Sequence, residues 1–264
     1  MTIPRVGVFA VAASVLFCVQ AWSEGGILMI GDSLSVGRVS KTLQPLLTRE
    51  LGVKTRIVAS CGSRPRDWNS KTSSYETSCG YDDLSATRSE EIPYRDALKQ
   101  PHATPKLVKL LAQEKPETII IQQGTNMFWD LQDARDPKRA RAEIRALLDQ
   151  VFSAKPAPKK CLWIAPPDTS KWPSEMEDRL FHLISEEVSS RCRVFDSRTV
   201  TRYPVKPSRG ADGIHYDQTF LGRSQQDHWS EAIVAAVKAL DAKSKMLIKE
   251  SPRESHPPRR SHGS

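Results

Sequence analysis

The sequence predicts an α/β domain: a parallel β-sheet covered by helices on both faces. Two observations carry this expectation. Short apolar runs rich in Ile, Val and Leu alternate with longer amphipathic stretches, and the 264 residues are enough for one substantial domain. Alternation of this kind implies right-handed βαβ crossovers. Strands without a polar alternation belong in a sheet buried on both sides.

The first strand is expected at 27–30, where Ile27-Leu28-Met29-Ile30 is uninterrupted apolar sequence. A helix is expected over 35–51, because Val39, Leu43, Leu46, Leu47 and Leu51 recur at helical spacing. Further strands are read at 53–59, 118–122, 161–165 and 193–196. Further helices are read at 105–113, 137–152, 174–189 and 224–242. No internal repeat is visible. Ligands of such sheets bind at the carboxyl ends of the strands, and Ser33, Gly62 and Asn126 each fall just after an expected strand. One segment breaks the rhythm. Residues 63–103 lack periodicity, are rich in Ser, Thr, Arg and Asp, and contain Trp68, Tyr75, Tyr81 and Tyr94. A stretch this long is expected to be a substrate-facing lid loop, with a decorative insertion as the alternative.

The N-terminus reads as a secretory signal over 1–23. Arg5 precedes an apolar run from 6 to 19, and small residues offer cleavage after Ala21 or Ser23. An uncleaved anchor is the alternative, although the run is short for a membrane span. Cys18 would be discarded with the signal. Export places the protein in a periplasm or outside the cell, where the remaining Cys61, Cys79, Cys161 and Cys192 favour disulfides. Cys161 and Cys192 each open an expected strand, so parallel neighbours would bring them together, leaving Cys61 and Cys79 to close the irregular segment. Zinc is the rival reading, but no Cys-x-x-Cys or Cys/His pair is present; neither metal nor cofactor is expected.

The domain is thus expected over 24–242, followed by a basic, disordered tail over 243–264. From Lys243 on there are six Lys/Arg against two Glu, half of the net charge of +8, together with Pro252, Pro257 and Pro258. A solvated tail is the plain reading; weak contact with anionic surfaces is the alternative. Nucleic acid is not expected as a partner: export argues against it and no recognition motif is visible.

The segment that carries chemistry is Gly31-Asp32-Ser33-Leu34-Ser35-Val36-Gly37, at the expected strand-to-helix junction. Far downstream stands Asp212-Gly213-Ile214-His215. A serine near a helix N-terminus meets backbone N–H groups that favour a developing negative charge. A histidine with an aspartate three residues earlier supplies a base and its orienting carboxylate. Taken singly, each residue has an ordinary reading. Ser33 would be a helix N-cap, Asn126 a turn residue, and His215 a surface histidine. His102, His182 and His228 have no matching partner.

Together the residues resemble the SGNH (GDSL-type) hydrolase superfamily, with its four blocks in order. They are Gly31-Asp32-Ser33-Leu34-Ser35, then Gly62 within Ser60-Cys61-Gly62-Ser63, then Gly124-Thr125-Asn126, then Asp212-Gly213-Ile214-His215. The resemblance implies a three-layer α/β/α sandwich with a flavodoxin-like, five-stranded parallel sheet. It also implies a catalytic set of Ser33 as nucleophile, His215 as base and Asp212 as its orienting group. The oxyanion hole would consist of the Ser33 and Gly62 N–H groups and the Asn126 side-chain amide, while Asp32 would be structural.

Two departures bear on substrate. Asn126 is followed by Met127 where many members carry an acidic residue. That Gly-Thr-Asn form is similar to members acting on acetyl groups of polysaccharides and cell-wall glycans, some of them acetyltransferases. The insertion after Gly62 also departs from the compact lipolytic type. The expectation is therefore an exported serine esterase that removes short acyl groups, O-acetyl above all, from a glycan or a small ester. A glycan O-acetyltransferase, a lipid or short-chain carboxylesterase and a non-catalytic glycan-binding module are the alternatives. Arg64, Arg66, Trp68, Met127, Phe128 and Trp129 are the candidate substrate contacts, with Tyr75 and Tyr81 as further aromatic faces.

Overall fold

A computed structural model describes residues 25–72, 74–132, 137–204, 211–216 and 218–249. The expected signal and residues 250–264 of the expected tail lie outside these. In chain order the elements are β1 (Ile27–Gly31), α1 (Arg38–Leu51), β2 (Thr55–Ser60), β3 (Glu76–Thr77), β4 (Tyr81–Leu84) and β5 (Ser89–Ile92). Then come α2 (Tyr94–Lys99), β6 (His102–Ala103), α3 (Leu107–Glu114), β7 (Thr118–Gln122), α4 (Phe128–Gln132) and α5 (Lys138–Phe152). Last are β8 (Lys160–Ile164), α6 (Ser174–Val188), β9 (Arg193–Phe195) and α7 (Phe220–Lys249). The backbone of α7 passes the boundary at 242 where the tail was expected to begin.

The central sheet runs β5-β4-β2-β1-β7-β8-β9. The five strands from β2 to β9 are mutually parallel, with Ile30 beside Val58 on one side and Ile121 on the other. Alternate residues of a strand face opposite ways, and the core divides accordingly. Leu28, Ile30, Ile119, Ile121 and Trp163 pack with α3, α5 and α6. Ile27, Met29, Ile57, Ile120 and Leu162 pack with α1 and α7. Helices thus cover both faces. Each fully buried Leu or Ile contributes roughly 1.5–3 kcal/mol of transfer free energy.

The expectation of a five-stranded parallel sheet is corrected by the insertion. Segment 63–103 is not irregular: β4 pairs antiparallel with β2, and β5 antiparallel with β4, making a mixed sheet of seven strands. The strands escaped a pattern-based reading because β4, Tyr-Asp-Asp-Leu, buries two carboxylates. Asp83 is satisfied by a two-pronged ion pair with Arg56, both contacts at 2.8 Å. Asp82 serves the start of α1 instead, accepting from the Gly37 N–H at 2.6 Å and from the Ser40 hydroxyl. Buried charges persist when paired and hydrogen-bonded, so polarity here hides a core strand. The β3–β6 ribbon and the Cys61–Cys79 disulfide fasten the rest of the insertion.

The second disulfide joins Cys161 and Cys192, whose Cα atoms are 4.6 Å apart. The β8–β9 register sets Leu162 beside Arg193, so the cysteines one position earlier are direct neighbours. Both pairings are the expected ones. Among the described residues no helix is long and apolar enough to cross a membrane.

Candidate active site

Ser33 follows β1 at the carboxyl end of the sheet, between strands that send their own loops to the same rim. Its turn is built around Asp32. The Asp32 N–H donates to the Gln122 carbonyl (3.2 Å), and the Asp32 carboxylate accepts from the Leu34 N–H (3.0 Å). The Ser35 N–H returns to the Asp32 carbonyl (3.1 Å), and the Ser35 hydroxyl donates to Oε1 of Gln122 at 2.8 Å. Gly31 is required here, since a Cβ would lie 2.3 Å from the Ser35 hydroxyl oxygen. Ser33 does not stand at the helix start: α1 begins only at Arg38, with Gly37 at the cap position. The apolar spacing signalled α1, but the turn before it takes its bonds from Asp32 and Asp82 rather than from a helix.

Asp32 is fully buried, and burial pushes its carboxyl up to about 6. The Leu34 N–H, the side chains of Thr125 and Gln122, and the charge of His215 oppose that rise.

His215 and Asp212 form a direct pair, with Nδ1 of the ring 2.5 Å from Oδ2 of the carboxylate. The other Asp212 oxygen accepts from the Ile214 and His215 N–H groups, each at 2.8 Å. Partial burial acts to raise the Asp212 carboxyl; the His215 ring and these two N–H groups outweigh it and hold it below its ordinary value. The loop is carried by the segment after β8. The Ser170 and Lys171 N–H groups donate to the Gly213 carbonyl (2.8 and 3.1 Å), and the Tyr216 hydroxyl donates to the Asp168 carbonyl at 2.8 Å. Ser33 and His215 line one cleft of about 180 Å³, together with Val36, Gly37, Arg38 and Tyr216.

Gly62 follows β2 with φ +79°. A Cβ there would lie 2.3 Å from the Tyr75 hydroxyl oxygen, which donates to the Cys61 carbonyl at 3.0 Å. Among the described residues neither the Ser33 N–H nor the Gly62 N–H has a hydrogen-bond acceptor. The Asn126 side-chain amide donates to the Ser63 carbonyl at 3.0 Å, tying the loop after β7 to the loop after β2. Two free N–H groups and a positioned amide are the kind of donors that stabilise an oxyanion. Among the described residues no group of His, Cys, Asp and Glu is arranged to hold a metal ion.

Several expected substrate contacts are corrected. Trp68, Met127 and Phe128 are at most 1% exposed and belong to the core. The Trp68 ring N–H is spent on the Ser63 hydroxyl at 3.1 Å. Arg64 is not free to meet a substrate carboxylate: it pairs with Asp130 and, at 3.0 Å, with Glu143. Tyr81 is buried against His102, with ring centroids 4.0 Å apart. Arg66 and Trp129 remain at the surface. Little in the chain signalled Gln122, Thr125 or Trp172, which the fold also brings to this rim. Their only mark was position at the end of β7 or just beyond β7 or β8.

An α/β/α sandwich with these four blocks in order on the carboxyl rim resembles the SGNH (GDSL-type) hydrolases. Solved structures of similar fold include TesA, at 17% identity over 82% of this chain and 99% of that chain, with a TM-score of 0.49. They also include a variant of Axe2, an acetyl xylan esterase from Geobacillus stearothermophilus. That match has 16% identity over 81% of this chain and 95% of Axe2, with a TM-score of 0.48. A catalytic mutant of Axe2 matches at 17% identity over the same shares, with a TM-score of 0.47. At these identities the likeness concerns the fold. No family model matches the sequence, and no curated protein is significantly similar to it.

Proposed function

We propose that this chain is an exported serine esterase that removes short acyl groups, chiefly O-acetyl, from a glycan. The observation that carries the reading is the cleft shared by Ser33 and His215, with Asp212 bonded to the far ring nitrogen. With Nδ1 engaged, Nε2 of His215 is the nitrogen left to take the Ser33 proton. The Ser33 oxygen adds to the ester carbonyl carbon, and the carbonyl oxygen becomes an oxyanion. The N–H groups of Ser33 and Gly62 and the amide of Asn126 would receive it, one such donor being worth ~3 kcal/mol in the transition state. Collapse expels the alcohol, which takes the proton from His215. Water then repeats the sequence on the acyl-serine and releases the free acid.

The Gly124-Thr125-Asn126 form of the third block favours acetyl over a long acyl chain. Two disulfides favour an oxidising compartment. An exposed tryptophan three residues after Asn126, Trp129, favours a substrate with a flat apolar face. The test is hydrolysis of p-nitrophenyl esters from acetate to octanoate by the wild-type protein and by Ser33→Ala. The reading expects turnover of acetate that declines with chain length and disappears in the variant. A preference for octanoate would replace the glycan with a lipid, and no turnover of any ester would reject the reaction.

A further inference from the structure

We propose that Tyr75 is a positioning residue for the reaction: its hydroxyl fixes the Cys61–Gly62 peptide so that the Gly62 N–H is presented to the oxyanion. The inference deepens the esterase reading and rests on it. The Tyr75 hydroxyl donates to the Cys61 carbonyl at 3.0 Å. That carbonyl and the Gly62 N–H belong to one planar trans peptide unit, in which they point in opposite directions. A bond that pins the carbonyl on one side therefore sets the aim of the N–H on the other. It also polarises the unit, because hydrogen bonds in a chain strengthen one another. The hydroxyl packs directly on the Gly62 Cα, where a Cβ would come within 2.3 Å of its oxygen.

The place of Gly62 in the sheet makes this bond matter. β1 and β2 run parallel with Gly31 beside Ala59, so Ser33 and Gly62 follow adjacent strand ends by two and three residues. The carbonyl of the unit is taken, and its N–H has no acceptor among the described residues. The next carbonyl, that of Ser63, accepts from the Asn126 amide at 3.0 Å.

Tyr75 does not act alone on Cys61. The Cys61 N–H donates to the Gly80 carbonyl at 3.0 Å, and its sulfur is bonded to Cys79. Residues 75–80 thus grip Cys61 by its carbonyl, its N–H and its side chain. The grip is itself anchored, since the Thr104 N–H donates to the Tyr75 carbonyl at 2.7 Å and the Thr77 hydroxyl to the Gly80 carbonyl at 3.2 Å. Partial burial, helped by the charge of Asp67, pushes the Tyr75 phenol up, so it remains a donor at neutral pH. Three ties on the residue that precedes an open N–H make this part of the insertion a brace for the oxyanion donor.

The test is Tyr75→Phe in the full chain, which keeps the ring and removes only the hydroxyl. On p-nitrophenyl acetate kcat should fall about tenfold with KM within twofold of wild type, the pattern of an interaction realised in the transition state. Circular dichroism checks the fold. Labelling cysteine carbonyls with carbon-13 and glycine nitrogens with nitrogen-15 marks only two peptides of the domain, Cys61–Gly62 and Cys79–Gly80. The variant should move the Cys61–Gly62 NMR signal and leave the Cys79–Gly80 signal in place. A kcat within twofold of wild type, a loss carried by KM, or an unmoved Cys61–Gly62 signal overturns the proposal. Turnover that ignores Tyr75→Phe keeps the esterase and discards the brace. A wild-type protein without ester turnover discards the esterase reading, and the Tyr75 claim then stands or falls on the Cys61–Gly62 signal.

Discussion

Replacing the Asp32 carboxylate by an amide tests the account of the turn beneath Ser33. Burial raises the Asp32 carboxyl from 3.8 to about 6. A folded-state value above the unfolded one favours folding at low pH, and that contribution is lost as pH rises from about 4 through about 6. Above that window the folded protein carries an ionised carboxylate in a buried site, at a cost of about 3 kcal/mol. An asparagine at this position would keep the oxygen that accepts from the Leu34 N–H and would carry no charge. Asp32→Asn is therefore expected to stabilise the protein at pH 8 by up to ~3 kcal/mol, with the gain shrinking towards zero at about pH 3.5. Urea unfolding at the two pH values measures the difference through the midpoint at constant slope. A variant destabilised equally at both would refute the reasoning, because the change would then act through the hydrogen bonds of the turn and not through the charge.

Three further outcomes follow from the same geometry. Asp212→Asn keeps the loop's shape but loses the charge that orients the His215 ring, so kcat on p-nitrophenyl acetate should fall by about 10⁴ with the fold intact. Gly62→Ala places a Cβ 2.3 Å from the Tyr75 hydroxyl oxygen at a positive φ. It should lower kcat by roughly 10²–10³ while KM changes little, as loss of an oxyanion donor does. Arg56→Met takes the two-pronged buried partner from Asp83 and leaves it only the half-exposed Arg88, at 3.3 Å. Urea unfolding at about pH 7 should show a loss of about 3–5 kcal/mol, relieved when Asp83→Asn is added.

The parallel strands and their helices were legible because hydrophobic burial wrote them. Ile27-Leu28-Met29-Ile30 and Ile119-Ile120-Ile121 are apolar at every position, and both faces are in fact covered. β4 was illegible for the opposite reason. Asp82 and Asp83 look like loop residues until Ser40, Gly37 and Arg56 are seen to satisfy them. The candidate site divides in the same way. Ser33, Gly62, Asn126, Asp212 and His215 are marked by residue type and order, and the fold carries each to the same rim or the loop beside it. The substrate contacts were misjudged because residue type does not reveal burial. Trp68 and Phe128 fill the core, and Arg64 is consumed by Asp130 and Glu143.

The central claim is that Ser33 is a nucleophile activated by His215. A serine-directed fluorophosphonate, followed by mass spectrometry of the digested protein, tests it most directly. The account predicts one covalent adduct, on the peptide containing Ser33, absent in Ser33→Ala and strongly slowed in His215→Ala. An unlabelled protein, or labelling that persists without Ser33, would contradict it.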